Sequence, residues 1–151
     1  MLFKNIHLMK AFLFAWNPVK WPWPELPQDI EMLRETGVFV EAWSCSSHRS
    51  VRPGDKAYLI RLGKQPMGIM GSGFVSSEPF TSDKNGLRRT RVLINFEVLL
   101  DPDREAILPM EELRSGRLKE QHWSTQASGI SIKPHVVEEL EALWLEFLAR
   151  R

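Results

Sequence analysis

The sequence predicts an α+β fold, a small mixed β-barrel of about six strands with short helices at its ends and an amphipathic helix at the C-terminus. Three observations point there. Short apolar runs are punctuated by strong turn signals. Residues 88–100 alternate for longer than any other segment, with Ile94, Phe96, Val98 and Leu100 on one side and Asn95 and Glu97 on the other. The last segment switches from period two to helical spacing, Val137, Leu140, Leu143, Trp144, Phe147 and Leu148 forming its stripe. At 151 residues the chain is expected to be one domain, 1–151, able to bury roughly two thirds of its unfolded surface.

The elements follow in order. Residues 10–16 are a short apolar strand that stops at Asn17-Pro18, because proline cannot donate to a ladder. In WPWPELP the alternating prolines forbid a helix and favour a stiff, extended loop that projects its indoles. A short helix occupies 28–36 and ends at Gly37, and a strand covers 38–43. Arg52-Pro53-Gly54-Asp55 is a turn that launches a strand at 56–62, in which Tyr58, Ile60 and Leu62 share a face. Gly63-Lys64-Gln65-Pro66 turns it back into 67–75 as a hairpin. Gly68, Gly71 and Gly73 in that return strand imply the close approach of another backbone or a ligand. They match neither the phosphate loop nor the dinucleotide fingerprint, for no Lys-Ser/Thr pair follows and no helix opens. Residues 79–87 read as a polar connection with a turn at Lys84-Asn85-Gly86. A short helix is expected from Leu108-Pro109 to about Leu118, then a loop at 122–127, a last strand at 128–132 and the final helix from Pro134.

Composition narrows the function. Cys45 is the sole cysteine, so no internal disulfide forms, and the four histidines offer no zinc-like spacing; no metal or cofactor is expected. A reducing, cytoplasmic setting fits. The apolar N-terminus is interrupted by Lys4, His7 and Lys10, so neither a signal peptide nor a membrane span is expected. A net charge of +1 argues against a protein that simply coats nucleic acid. Residues 47–91, however, hold nine Lys/Arg against three acids, and the rest of the chain is correspondingly acidic. That asymmetry suggests one face that meets an anion. Arg49, Arg52, Lys64, Arg88 and Arg89 are the candidate contacts to a nucleic-acid backbone.

Four of the six tryptophans lie between Trp16 and Ser46. Trp16 precedes Asn17-Pro18 and Trp43 precedes Ser44-Cys45-Ser46, so both indoles are expected at the rim where strand gives way to loop. A large ring with one N–H donor suits a wall that stacks on a flat ligand. The two are expected to converge on a slot for a planar heterocycle. Trp144, at helical spacing, is expected in the core.

Taken together, AWNPVKWPW, AWSCSS, RPGDKAYLIRLG, GIMGSGFV and HWSTQASGISI resemble the EVE domain of the PUA-like superfamily over roughly residues 11–147. The layout is also similar to the YTH readers of methylated adenine. The resemblance implies an aromatic pocket at the barrel mouth that accepts a nucleobase. Trp43 would be the first wall and Ser44 the neighbour that bonds the base edge. Trp16 and Asn17 would stand opposite, Trp21 or Trp23 would cap the opening, and Trp123 completes the candidate set. It implies a non-enzymatic reader of a modified base, methylated or hydroxymethylated cytosine in DNA, with DNA favoured over RNA as partner. Such domains are often joined to an HNH nuclease in modification-dependent restriction proteins. No HNH motif is present, so a nuclease partner would lie on another chain or outside this sequence. Three alternatives stay open: an RNA-binding module of RNA modification, a small-molecule enzyme using Cys45 and His48, and a protein-interaction adaptor docking through its tryptophans.

Overall fold

A computed structural model describes residues 10–151; Lys4 and His7, which interrupt the apolar N-terminal run, lie outside the described residues. The elements are β1 (Ala11–Trp16), α1 (Leu26–Thr36), β2 (Val40–Ser44), β3 (Lys56–Arg61), β4 (Gly68–Val75), β5 (Phe80–Lys84), β6 (Leu87–Leu99), β7 (Leu108–Pro109), α2 (Met110–Leu113), a 3-10 turn (Gly116–Glu120), β8 (Ile130–Ser131) and α3 (Pro134–Ala149). The fold is mixed α+β. Six strands in the order β2-β6-β4-β3-β1-β8 form a curled half-barrel, with β5 pairing β6 and β7 pairing β4 off that path.

Most ladders are antiparallel; β1 and β3 run parallel, Leu13 opposite Tyr58 and Trp16 opposite Arg61. That pairing requires a crossover, which α1 and β2 supply. The two ends of the curled sheet are also tied together. Ser46 N–H and Ser47 N–H, just beyond β2, donate to Ser128 O and Gly129 O, just before β8, at 2.8 and 2.9 Å. Gly129 N–H in turn donates to Leu13 O of β1 at 2.8 Å. Gly129 is required there. Its φ is +75°, and a Cβ would lie 2.6 Å from Cys45 Cα.

The glycines of β4 serve close approach by a neighbouring backbone, not a ligand. At Gly73 a Cβ would come within 2.1 Å of Asn95 O on β6. The β4–β6 register shifts between Ser72 and Gly73, so the strand bends where it has no side chain.

The core is continuous from Phe12 and Phe14 through Leu59, Ile69 and Ile94 to Leu140 and Trp144. As expected, Trp144 is structural: it is 1% exposed, its indole N–H donates to Ser72 Oγ at 2.8 Å, and it stacks on Phe147. Helix α3 is also joined to β3, for Glu141 accepts the Tyr58 hydroxyl and lies 3.6 Å from Lys56 Nζ.

Two expectations change. Residues 80–84, expected to be a polar connection, form β5 and pair with β6 from Phe80 opposite Arg91 to Lys84 opposite Leu87. Asn85 and Gly86 both have positive φ, 53° and 77°, the geometry of a tight two-residue hairpin. Strand β5 is largely solvated, so apolar alternation is missing there and only the Asn-Gly turn betrays it. The single helix expected at 108–118 is three pieces, β7, α2 and the 3-10 turn: Pro109 is extended at ψ 153°, and Gly116 at φ +57° follows the end of α2 and opens the 3-10 turn. Helix α1 begins at Leu26, two residues early, with Pro27 in its first turn, and it ends as expected at Gly37. Among the described residues no helix is long and apolar enough to cross a membrane.

Candidate functional site

A cleft of about 1190 Å³ opens between the loop after β1, strand β2, the β5–β6 hairpin and the loop before β8. It is larger than a typical pocket for one small molecule, roughly 300–1,000 Å³, and is open like a groove. Its lining includes Trp16, Asn17, Trp21, Trp23, Trp43 and Ser44. Six of the seven residues expected to contact a base are therefore brought together.

Local sequence explains their placement. Asn17 O accepts Lys20 N–H and Trp21 N–H, and Asn17 Oδ1 accepts Val19 N–H at 3.0 Å, so one asparagine folds the turn after β1. Trp21 O then accepts the Trp16 indole N–H at 2.6 Å. The prolines at 22 and 24 carry the chain onward to α1, and Asp29 in its first turn accepts the Trp23 indole N–H at 2.8 Å. The loop is thus fastened at both ends.

The indoles are not arranged as expected. Trp16 and Trp43 do not face each other across an open gap, because Trp23 stands between them. Its ring meets Trp16 at 5.4 Å and 87° and Trp43 at 5.8 Å and 63°, both edge-to-face contacts. Trp23 also stacks on Phe39, which stacks on Phe96, so an aromatic column runs from the cleft into the core. Trp16 is 7% exposed, and the Arg61 guanidinium covers its ring at 5.6 Å. It supports the cleft floor rather than offering a wall. Trp43 is half-buried, and its indole N–H is different in kind. Among the described residues it is one of two buried side-chain polar atoms without a hydrogen-bond partner; the other is Arg61 Nη1. A buried donor left unpaired costs about 1–3 kcal/mol, so it needs an explanation.

Trp123 lies elsewhere. It is 2% exposed with its N–H donated to Leu118 O at 2.8 Å, and it packs into the core while the adjoining Ser124, Thr125, Gln126, Ala127 and Ser128 line the cleft. The expectation that it reaches a ligand is corrected on that ground.

The basic segment is also thinner at the surface than its composition suggests. Lys56, Arg61 and Arg91 are buried. Lys56 pairs with Glu141, and Arg61 with Asp103 at 2.9 Å, a contact that holds the Asp103 carboxyl below its ordinary range. Of the five expected backbone contacts only Arg89 lines the cleft. Arg88 pairs with Asp83 at 3.6 Å, Arg52 donates to Val51 O and Arg49 O, and Arg49 and Lys64 are exposed outside the cleft.

Other lining residues were not singled out from the sequence. Arg91 holds the hairpin through Ser82 O and Leu87 O, while Lys84 reaches back to Ala42 O at 3.3 Å and Glu41 at 3.8 Å. Lys20, Glu41 and Asp29 add one cation and two carboxylates. The Lys84–Ala42 contact spans 42 residues, and no local spacing announces it.

Cys45 is 3% exposed and faces Gly129 O, and burial pushes its thiol up to about 11. A nucleophilic thiol needs the opposite shift. Among the described residues no group of three His, Cys, Asp or Glu side chains could hold a metal ion.

No family model matches the chain, and no curated protein matches it. Solved structures do. A hypothetical protein from Leishmania major matches with a TM-score of 0.63 at 17% identity, covering 95% of this chain and 98% of that one. A protein from Pseudomonas syringae matches with a TM-score of 0.55 at 12% identity, covering 88% and 99%. At such identities the likeness is one of fold. The curled sheet is compatible with a PUA-like barrel.

Proposed function

We propose that the chain is an EVE-type reader that holds a modified base, methylated or hydroxymethylated cytosine flipped out of DNA, against Trp43 in this cleft. The observation that carries the reading is the Trp43 indole: a half-buried ring that lines a large cleft together with Trp21 and Trp23. A base supplies a flat face to stack on the exposed part of such a ring. Cytosine offers O2 and N3 as acceptors and its N4 amino group as a donor, and Glu41 is a carboxylate acceptor in the same cleft. Arg89 and Lys20 line the same cleft and are the cations for the phosphates.

Magnitudes assign the roles. Extracting a base from its stack costs a few kcal/mol. Stacking on an aromatic returns about 1–3 kcal/mol, so the two nearly cancel. Net affinity then rests on phosphate contacts and falls with salt. Burying the methyl mark adds about 0.8 kcal/mol, about a fourfold preference. Larger discrimination requires the hydroxyl of a hydroxymethyl mark, which the site can pair and the unmarked base lacks.

The experiment is a set of duplexes identical except for one cytosine, unmodified, methylated or hydroxymethylated, titrated at one fixed salt concentration. A preference of at least about fourfold for a marked duplex is expected. Equal affinity for all three contradicts the reading.

A further inference from the structure

The turn after β1 carries an apolar tip that the fold does not use. Val19 is 72% exposed, the highest exposure among the large exposed apolar residues of the described chain, and Pro18 precedes it. Scattered exposed apolar side chains are ordinary. This one is set apart by what holds it. Asn17 fixes the tip from below through Val19 N–H, Lys20 N–H and Trp21 N–H, and Gly63 of the β3–β4 turn packs directly against the Asn17 side chain, where a Cβ would lie 2.3 Å from Oδ1. The tip is therefore stiff, and it is placed at the cleft's edge. Asn17 and Lys20 on either side of it line the cleft, whereas Val19 does not.

We propose that Pro18-Val19 is a wedge for duplex DNA, a proposal that rests on the base-reader reading above. A base held against Trp43 leaves a gap in its helix, and the neighbouring stack is stabilised when an apolar group enters that gap. A stiff apolar tip loses little conformational freedom on insertion. Lys20 next to it is placed for the flanking phosphate. The wedge acts only when a base must leave a duplex, and a single strand has no gap to fill.

The test compares marked duplex with the same marked strand alone, each beside its unmarked twin, for the wild type, Val19→Ala and Val19→Leu. Removing two methyl groups from a buried contact is expected to weaken duplex binding by about tenfold. Single-strand binding stays unchanged, and Val19→Leu restores the duplex. If Val19→Ala binds both forms as the wild type does, or weakens both equally, the wedge is overturned while the reader reading survives. If the wild type shows no preference for the mark on either form, the reading falls and the wedge with it.

Discussion

The Trp23 and Trp43 indoles meet edge to face, their ring centroids 5.8 Å apart. Trp23 is held in that pose by Asp29 and by Trp16 on its other side, so the cleft floor is a braced set of three rings rather than two separate plates. Of the cleft's four indoles Trp16 is buried, Trp23 and Trp43 are half-buried and Trp21 is exposed, and the brace keeps Trp43 in place.

The brace can be loosened without touching Trp43. Asp29→Ala removes the acceptor for the Trp23 N–H and is expected to destabilise the fold by about 1 kcal/mol, read by urea denaturation. Ligand affinity should fall further than stability alone explains, because the wall is no longer held. Unchanged affinity would show that Trp23 needs no support from α1.

Closure of the barrel depends on a position without a side chain. Gly129→Ala places a Cβ against Cys45 in a left-handed conformation, and the strain of both is expected to cost about 2–4 kcal/mol. A lowered denaturation midpoint checks it.

Charge contributions separate by pairing. Arg89→Ala, at the cleft, is expected to weaken binding to marked and unmarked DNA alike and to reduce the salt slope by about 1. Arg88→Ala, whose guanidinium is already near Asp83, should do less. Salt titrations of both variants give the comparison.

The buried thiol and phenol set an alkaline limit. Cys45 is raised to about 11 from 9.0, and burial with Glu141 beside it raises Tyr58 well above the usual phenol range. For both, the unfolded chain loses its proton at a lower pH than the folded one. Their contribution is therefore complete below about pH 9 and declines as pH rises through the folded values. Native Cys45 should resist a thiol reagent at pH 8 and react once the chain is unfolded in urea. Rapid labelling of the folded protein would revive the Cys45-His48 alternative.

Much of this architecture was legible because period and punctuation agreed. Tyr58 and Ile60 between two turns marked β3, Gly37 ended α1, and the stripe from Val137 to Phe147 marked α3. Strand β5 was not legible, since its side chains face water and apolar alternation had nothing to record. For the cleft, tryptophans beside strand ends pointed to the correct region. Their packing was hidden: nothing local reveals that Trp23 separates Trp16 from Trp43, or that Trp123 turns inward to Leu118 O. Arg91, Lys84 and Glu41 were missed for the same reason. They reach the cleft through the hairpin and β2, whose pairing is set by contacts distant in sequence. Counting basic residues likewise overstated the charged face, because Lys56 and Arg61 are buried in ion pairs.

The most direct measurement is mark discrimination by Trp43 variants, scored as the affinity ratio between a duplex carrying one modified cytosine and its unmodified twin. Trp43→Ala is expected to lose about 1–3 kcal/mol of binding to the marked duplex, and with it the preference. Trp43→Phe should keep most of the stacking and most of the preference. Trp43→Ala binding and discriminating as the wild type does would contradict the account.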